Sequence, residues 1–241
     1  MRGAFLCAWL LIPAAVAAYH LGPGQERLVL DEAAAHLRAA ETHVASREWS
    51  QAAVAFDAAL ALVPADRAAE VRRLRIERAK AQLKSGKLPE AYDDLTLLTE
   101  ELRADSTASP ELVADARQAL ASAQYYLTWL MRLEGEPREA WEHEIEAARQ
   151  NYRLLAQQAE SMGDKPSEKS HREDLESAIR LARMDLSELQ ALPLPSQCQG
   201  CCSGDCKCKG KSKGKNRKKG ENKAEDVRGA SSGPPPDDRG S

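Results

Sequence analysis

The stretch Arg47-Glu-Trp-Ser-Gln-Ala-Ala-Val-Ala-Phe-Asp-Ala-Ala-Leu-Ala-Leu-Val-Pro64 decides the fold. It reads as the turn and second helix of a helical hairpin: alanine-rich, with Trp49 in the turn and Pro64 ending the helix. Where two antiparallel helices cross closely just after their turn, one position must be small. A larger residue one turn on must then fill the space between hairpins. Ala52 and Phe56 meet these two needs. The pattern returns at Gly86-Lys-Leu-Pro-Glu-Ala-Tyr92, continuing to Leu95 and Leu98, and again at Gly135-Glu-Pro-Arg-Glu-Ala-Trp141. In both, Gly and Ala are five apart, with Glu directly before the Ala and an aromatic directly after it. Arg47 and Ala52 keep the same interval.

These residues resemble the tetratricopeptide repeat (TPR) family, whose second helix carries a Gly-x-aromatic turn, a small residue, an aromatic, an Ala-Leu pair and a closing Pro. The match runs through Trp49, Ala52, Phe56, Ala59, Leu60, Leu62 and Pro64, and the resemblance covers residues 31–162. The turns at Arg47, Gly86 and Gly135 are 39 and 49 residues apart, where the family period is about 34. Longer helices account for the excess. Arg47 and Glu144 stand where the family has Gly and an aromatic. The resemblance implies an all-α fold: a right-handed stack of antiparallel hairpins, a TPR-like α-solenoid of about seven helices with a concave peptide-binding face. It identifies no ligand.

Composition agrees independently. Hydrophobic residues make up 43% of the chain with only two Phe and five Tyr, and 29% is charged, which describes an alanine-rich helical protein and excludes a strand-rich one. A length of 241 residues suits one elongated domain with flanks.

Met1-Arg2 precedes an uncharged apolar run from Gly3 to Tyr19. One Arg, an apolar stretch and Ala15-Val16-Ala17 before Ala18 fit a secretory signal with a small-residue cleavage site. An uncleaved transmembrane anchor competes, since the run reaches the lower length limit for spanning a bilayer. Residues 1–21 are therefore a signal peptide or an anchor. Either places the following domain outside the cytoplasm, membrane-held in one case, secreted or periplasmic in the other. Cys7 lacks the small residue expected before a lipid-modified cysteine and reads as an apolar filler.

The domain spans residues 22–192 after the break Gly22-Pro-Gly24. The spacing of Leu30, Ala34, Leu37, Ala40 and Val44 predicts a helix over 27–46. Further helices are expected over 49–62, 66–84, 89–103, 110–133 and 137–161, with a last one opening near the box Ser170-His-Arg-Glu173 and running to Ala191. The 66–84 helix turns Val71, Leu74, Ala79 and Leu83 inward. Ser109-Pro110-Glu111 is a helix start with a mechanism: a Ser hydroxyl to accept from a free amide, Pro where no bond is lost, and Glu at the positive end. In the last helix Leu175, Ile179, Ala182, Leu186 and Leu189 repeat at coiled-coil spacing, which also suits the face of a terminal capping helix.

Beyond Pro193 the chain changes character. Residues 193–241 hold eleven Lys and Arg against six Asp and Glu, a net charge of +5, so the first 192 residues carry −8. Glycines, Pro234 to Pro236 and the lack of apolar runs predict a disordered tail. Within it, Cys198-Gln-Gly-Cys201-Cys202-Ser-Gly-Asp-Cys206-Lys-Cys208 places five thiols in eleven residues. The Cys-x-x-Cys and Cys-x-Cys spacings let neighbouring thiolates reach one soft metal ion, Zn or Cu(I). Disulfides and the absence of any defined role are the competing readings. The lysine run 207–219 suits anionic lipid or cell-wall contacts. It has no interleaved aromatics to stack bases, which argues against nucleic-acid reading.

Catalysis finds no local motif. None of the five His falls in a His-Glu-x-x-His arrangement, no phosphate-binding glycine loop is present, and Glu142-His143-Glu144 directs neighbouring side chains apart on a helix. The expectation is a non-enzymatic interaction scaffold for a protein or peptide ligand, associated with the membrane through its N-terminal segment. The alternative is a metal-handling protein working through its tail cysteines. Tyr125, Tyr126, Trp129 and Trp141 are the aromatics that either anchor a partner in the groove or pack the repeat core.

Overall fold

The structure, a computed structural model, describes residues 23–198 together with Trp9, Ile12, Pro13 and Tyr19. Every described element is helical: α1 (Pro23–Ala45), α2 (Trp49–Leu62), α3 (Ala68–Lys84), α4 (Leu88–Ala104), α5 (Pro110–Leu133), α6 (Arg138–Met162), α7 (Lys165–Arg183), α8 (Leu186–Ala191) and a 3-10 turn, Ser196–Cys198. Among the described residues no helix is long and apolar enough to cross a membrane. Most of the apolar run 3–19, with its anchor or signal, and the tail beyond Cys198 lie outside the described residues.

The expected turns recur as one backbone geometry. Arg47, Gly86 and Gly135 all adopt left-handed φ, at 59°, 80° and 79°. At each, the next residue's N–H reaches back five residues to a helical carbonyl: Glu48 to His43 at 2.8 Å, Lys87 to Gln82 at 2.9 Å and Glu136 to Met131 at 2.9 Å. The left-handed residue itself bonds three back, to Val44, Leu83 and Arg132. This paired closure satisfies carbonyls that a helix end would otherwise orphan. Gly163 repeats it between α6 and α7 at φ 72°, with Asp164 bonded to Ala159 at 2.9 Å.

The chain divides into two compact units, the first ending at Leu74 within α3 and the second beginning at Arg75. In the first, α1 packs along α2. Small side chains dominate its buried set: Ala33, Ala40, Ala52, Ala53, Ala55 and Ala59, with Phe56 as the large filler. The small-then-large requirement at Ala52 and Phe56 is thus met by burial. α1 is described from Pro23, already helical before the expected start at Arg27.

In the second unit α5 is the central element, packed by α4, α6, α8 and the 3-10 turn. Ser109 caps it by accepting from the Leu112 N–H at 3.2 Å. Ala116, Ala119, Ala121 and Ala123 let neighbours approach on several sides, so the helix is buried nearly all round. The C-terminal part of α3 joins this core through Ile76, Ala79 and Leu83. It is clamped to α4 by Arg75 and Arg78, both bonded to Asp94 at 2.7 and 2.8 Å, while Lys80 reaches Asp115 on α5 at 2.6 Å.

The last helix opens at Lys165, capped by Asp164 through the Ser167 N–H, so Ser170 to Glu173 lie near its start. It also breaks at Met184, which takes extended backbone, giving eight helices among the described residues. Asp185 and Glu188 form a reciprocal capping box that restarts the chain as α8. The box competes with helix continuation and wins because Arg132 donates to the freed carbonyls of Leu181 and Met184. The buried stripe of α7 is His171, Asp174, Ser177, Ala178 and Leu181, one position round from the expected seam, of which Leu189 is fully buried, Leu175, Ile179 and Ala182 are half-buried and Leu186 is exposed.

Candidate functional site

The four candidate anchor aromatics take different places. Tyr125, Tyr126 and Trp129 lie inside the core of the second unit, 2–3% exposed. Tyr125 meets Tyr126 edge-on at 5.3 Å between ring centroids and Trp129 at 6.0 Å, arrangements that stabilise beyond area burial. In this structure these three pack the core. The Trp129 ring N–H is buried without a hydrogen-bond acceptor. It borders a cavity of about 20 Å³ beneath Met184 and Leu192, enough for a single water.

Trp141 belongs to the same core, at 9% exposed, but its edge reaches a surface groove. It stands at the rim of a groove of about 190 Å³ between α6 and α7, lined on the α6 side also by Arg138, Glu142 and Arg149 and on the α7 side by Ile179, Ala182 and Arg183. The guanidinium of Arg132 lies 4.8 Å from the centroid of its ring and fixes the indole. Arg138 pairs with Glu142 at 2.6 Å and Arg149 pairs with Glu146 along the same helix. The groove is therefore lined mainly by charged side chains, with Trp141, Ile145, Ile179 and Ala182 between them.

Nearby, the Tyr92 hydroxyl of α4 donates to Glu144 Oε1 of α6 at 2.7 Å. His143 Nε2 stands 2.9 Å from the same oxygen, so these neighbouring side chains converge where the sequence suggested divergence. Burial, then the bond to Glu144, pushes the Tyr92 hydroxyl up to about 12. Glu144 is buried and two-fold bonded, which accounts for a carboxylate at a position where the family resemblance led to an aromatic. It joins α4 to α6 by charge-assisted bonding.

Of the five tail thiols only Cys198 is described, and it is fully buried. Its Sγ lies 3.8 Å from the Tyr126 carbonyl oxygen, inside the core around α5. The packed fold thus continues five residues past Pro193, through the buried Pro195. A metal site drawing on Cys198 would have to extract it from this packing. Cys201, Cys202, Cys206 and Cys208 lie outside the described residues, and among those described no group of three or more His, Cys, Asp and Glu is placed to hold a metal ion.

A feature with no sequence signal is a buried polar cluster at the α5–α6–α7 junction. Asp174 is 1% exposed with both carboxyl oxygens unbonded, beside the fully buried Tyr152, whose hydroxyl is 3.3 Å from Ser122 Oγ. Hydropathy places Asp174 on a wet face, since a lone Asp among alternating charges reads as solvated. The helical hairpins, groove and buried cluster are described for a chain that matches no protein-family model, no curated protein and no solved structure. The class the fold defines is an all-α protein of packed helical pairs.

Proposed function

We propose that this chain is a non-enzymatic, TPR-like interaction scaffold that takes a protein or peptide ligand in the groove between α6 and α7, and is held at or exported across a membrane by its N-terminal segment. The observation that carries the reading is the recurrence of one turn geometry at Arg47, Gly86 and Gly135, at the positions where the sequence pattern repeats. A unit repeated in both sequence and backbone is the signature of stacked hairpin architectures. The groove at Trp141 supports the docking site. At about 190 Å³ it is below the usual size of a small-molecule pocket but admits one or two inserted side chains. A rigid aromatic flanked by arginines is the composition that dominates binding energy at interfaces. The exposed Trp9 and Ile12, together with the uncharged run around them, support a lipid-directed N-terminal segment.

Site-specific photocrosslinking tests this. A crosslinking residue at Ala182, in the groove, is expected to trap a defined protein with or without residues 199–241, whereas one at Asp93 on the exposed side of α4 is not. Arg183→Glu, at an exposed site, should cut the groove crosslink about tenfold. Equal trapping from both positions, or trapping lost with the tail, would sink the proposal.

A further inference from the structure

The cluster around Asp174 is built where three helices meet, and it is not part of the groove. α7 presents Asp174 to the interface with α6, where Tyr152 is fully buried. The Tyr152 hydroxyl lies 3.3 Å from Ser122 Oγ of α5, and Tyr125 and Tyr126 of α5 act electrostatically on the same hydroxyl. Burial first, and then the nearby Asp174, push Tyr152 well above the ordinary tyrosine range, so it stays neutral.

Nothing compensates a charge on Asp174. Both of its oxygens lack a hydrogen-bond partner, no ion pair reaches it among the described residues, and the charged neighbour acting on it is Glu173, of the same sign. His171, one turn earlier, is also buried with Nδ1 unbonded, and burial holds it below the usual histidine range against the pull of Asp164. An ionised carboxylate in such surroundings costs several kcal/mol, and the group instead retains its proton. Burial, with Glu173 adding to it, pushes Asp174 up to about 8.

We propose that Asp174 is a proton-operated latch: as the neutral acid it lets α7 lie against α6 and α5, and loss of its proton loosens α7 together with α8 and the Ser196–Cys198 turn that follow it. The sign follows from linkage. In the unfolded chain an Asp titrates near 4, whereas in the folded chain it titrates near 8. Between these values the folded state holds one proton more than the unfolded, so stability falls as pH rises through the window and levels off above it. Each pH unit inside the window lowers the folding equilibrium constant by up to tenfold through this group.

Urea unfolding of the full chain and of Asp174→Asn, at each pH from 4 to 9, tests the latch. Asn copies the neutral acid and cannot ionise. The two chains should unfold at similar urea near pH 4 and separate steadily toward pH 8, the Asn chain becoming the more stable. Amide exchange in α7 should gain, above pH 8, an excess over intrinsic base catalysis in the unaltered chain and none in the variant. Carbon-detected NMR titration of the Asp174 carboxyl in the unaltered chain supplies a reading that does not depend on the variant folding. A midpoint near 8 supports the latch. A midpoint near 4, or parallel stability of the two chains across the whole pH range, overturns it.

Discussion

Arg47 bears a cost that its counterparts avoid. It adopts φ 59° in a turn where Gly86 and Gly135 reach 80° and 79° without a Cβ to oppose the carbonyl. Arg47→Gly should therefore stabilise the chain by about 0.5–1 kcal/mol, the relief of strain outweighing the extra freedom of glycine in the unfolded state. Gly135→Ala is the mirror test. A Cβ there would meet no atom within 4 Å, so the expected loss of about 1 kcal/mol reports backbone conformation alone. Urea midpoints of the two variants measure both; a neutral Arg47→Gly would mean that Arg47's own contacts offset the strain. The turn role of Arg47 was legible because it keeps the five-residue interval to Ala52 that the two glycines keep to their alanines. The fate of Tyr125, Tyr126 and Trp129 was not, since a core and a binding groove both use rigid aromatics. What separates them is the run of small residues along α5, which admits neighbours on every side. Asp174 left no trace at all, because a buried acid that keeps its proton has the same one-letter code as a solvated one.

At the scale of elements, the end of α7 is determined as much by a side chain of α5 as by its own sequence. Arg132 donates to the carbonyls of Leu181 and Met184 and stacks on Trp141, so one guanidinium braces the end of α7 and the start of α6. Bonds from a charged donor to buried carbonyls contribute about 1.5–3 kcal/mol, and leaving those carbonyls unpaired adds to the loss. Arg132→Met keeps the apolar stem and should cost about 2–3 kcal/mol, with exchange rising first at amides 181–189. Arg132→Lys should recover little, since a point charge cannot bond two carbonyls and lie flat on an indole at once. Full recovery by Lys would make the brace a matter of charge alone. This contact ends a helix that local pattern alone would continue. The 175–189 apolar spacing favours one continuous helix, and the capping box at Asp185 and Glu188 opposes it. The partner that decides between them is fifty residues away in sequence, beyond the reach of local pattern. The same locality explains the seam's one-position error: periodicity fixes that α7 has a buried face, while His171 and Asp174 on that face carry no hydropathy to mark it.

For the molecule as a whole, the informative boundary is between the packed chain and its basic tail. Composition changes at Pro193, and a reader of sequence cuts there because proline, glycine and lysine replace the apolar periodicity. Packing continues to Cys198. Leu192 and Leu194 rest on the core, and Pro195 and Cys198 are fully buried against it, with the 3-10 turn lying on α5. Segments this short bury area without any repeating pattern, so only the neighbouring helices reveal it. The all-helical class was readable from period and composition, because alanine-rich stretches with helical spacing and few aromatics disfavour strands. That packing extends past Pro193 was not. Comparing chains spanning 23–198 and 23–192 tests where the fold ends. Removing residues 193–198 uncovers apolar surface of α5 around Tyr126 and should lower stability by about 2–4 kcal/mol at roughly 25 cal/mol per Å² of re-exposed area. Urea unfolding followed by far-UV circular dichroism measures the difference, and tryptophan emission from Trp129 should shift to the red in the shorter chain before it unfolds. Coincident transitions and unchanged emission would place the boundary at residue 192 after all, and would make the burial of Cys198 a contact without energetic weight. A lowered transition assigns Cys198 to the core, leaving Cys201, Cys202, Cys206 and Cys208 as the thiols any soft-metal chemistry of the tail would have to use.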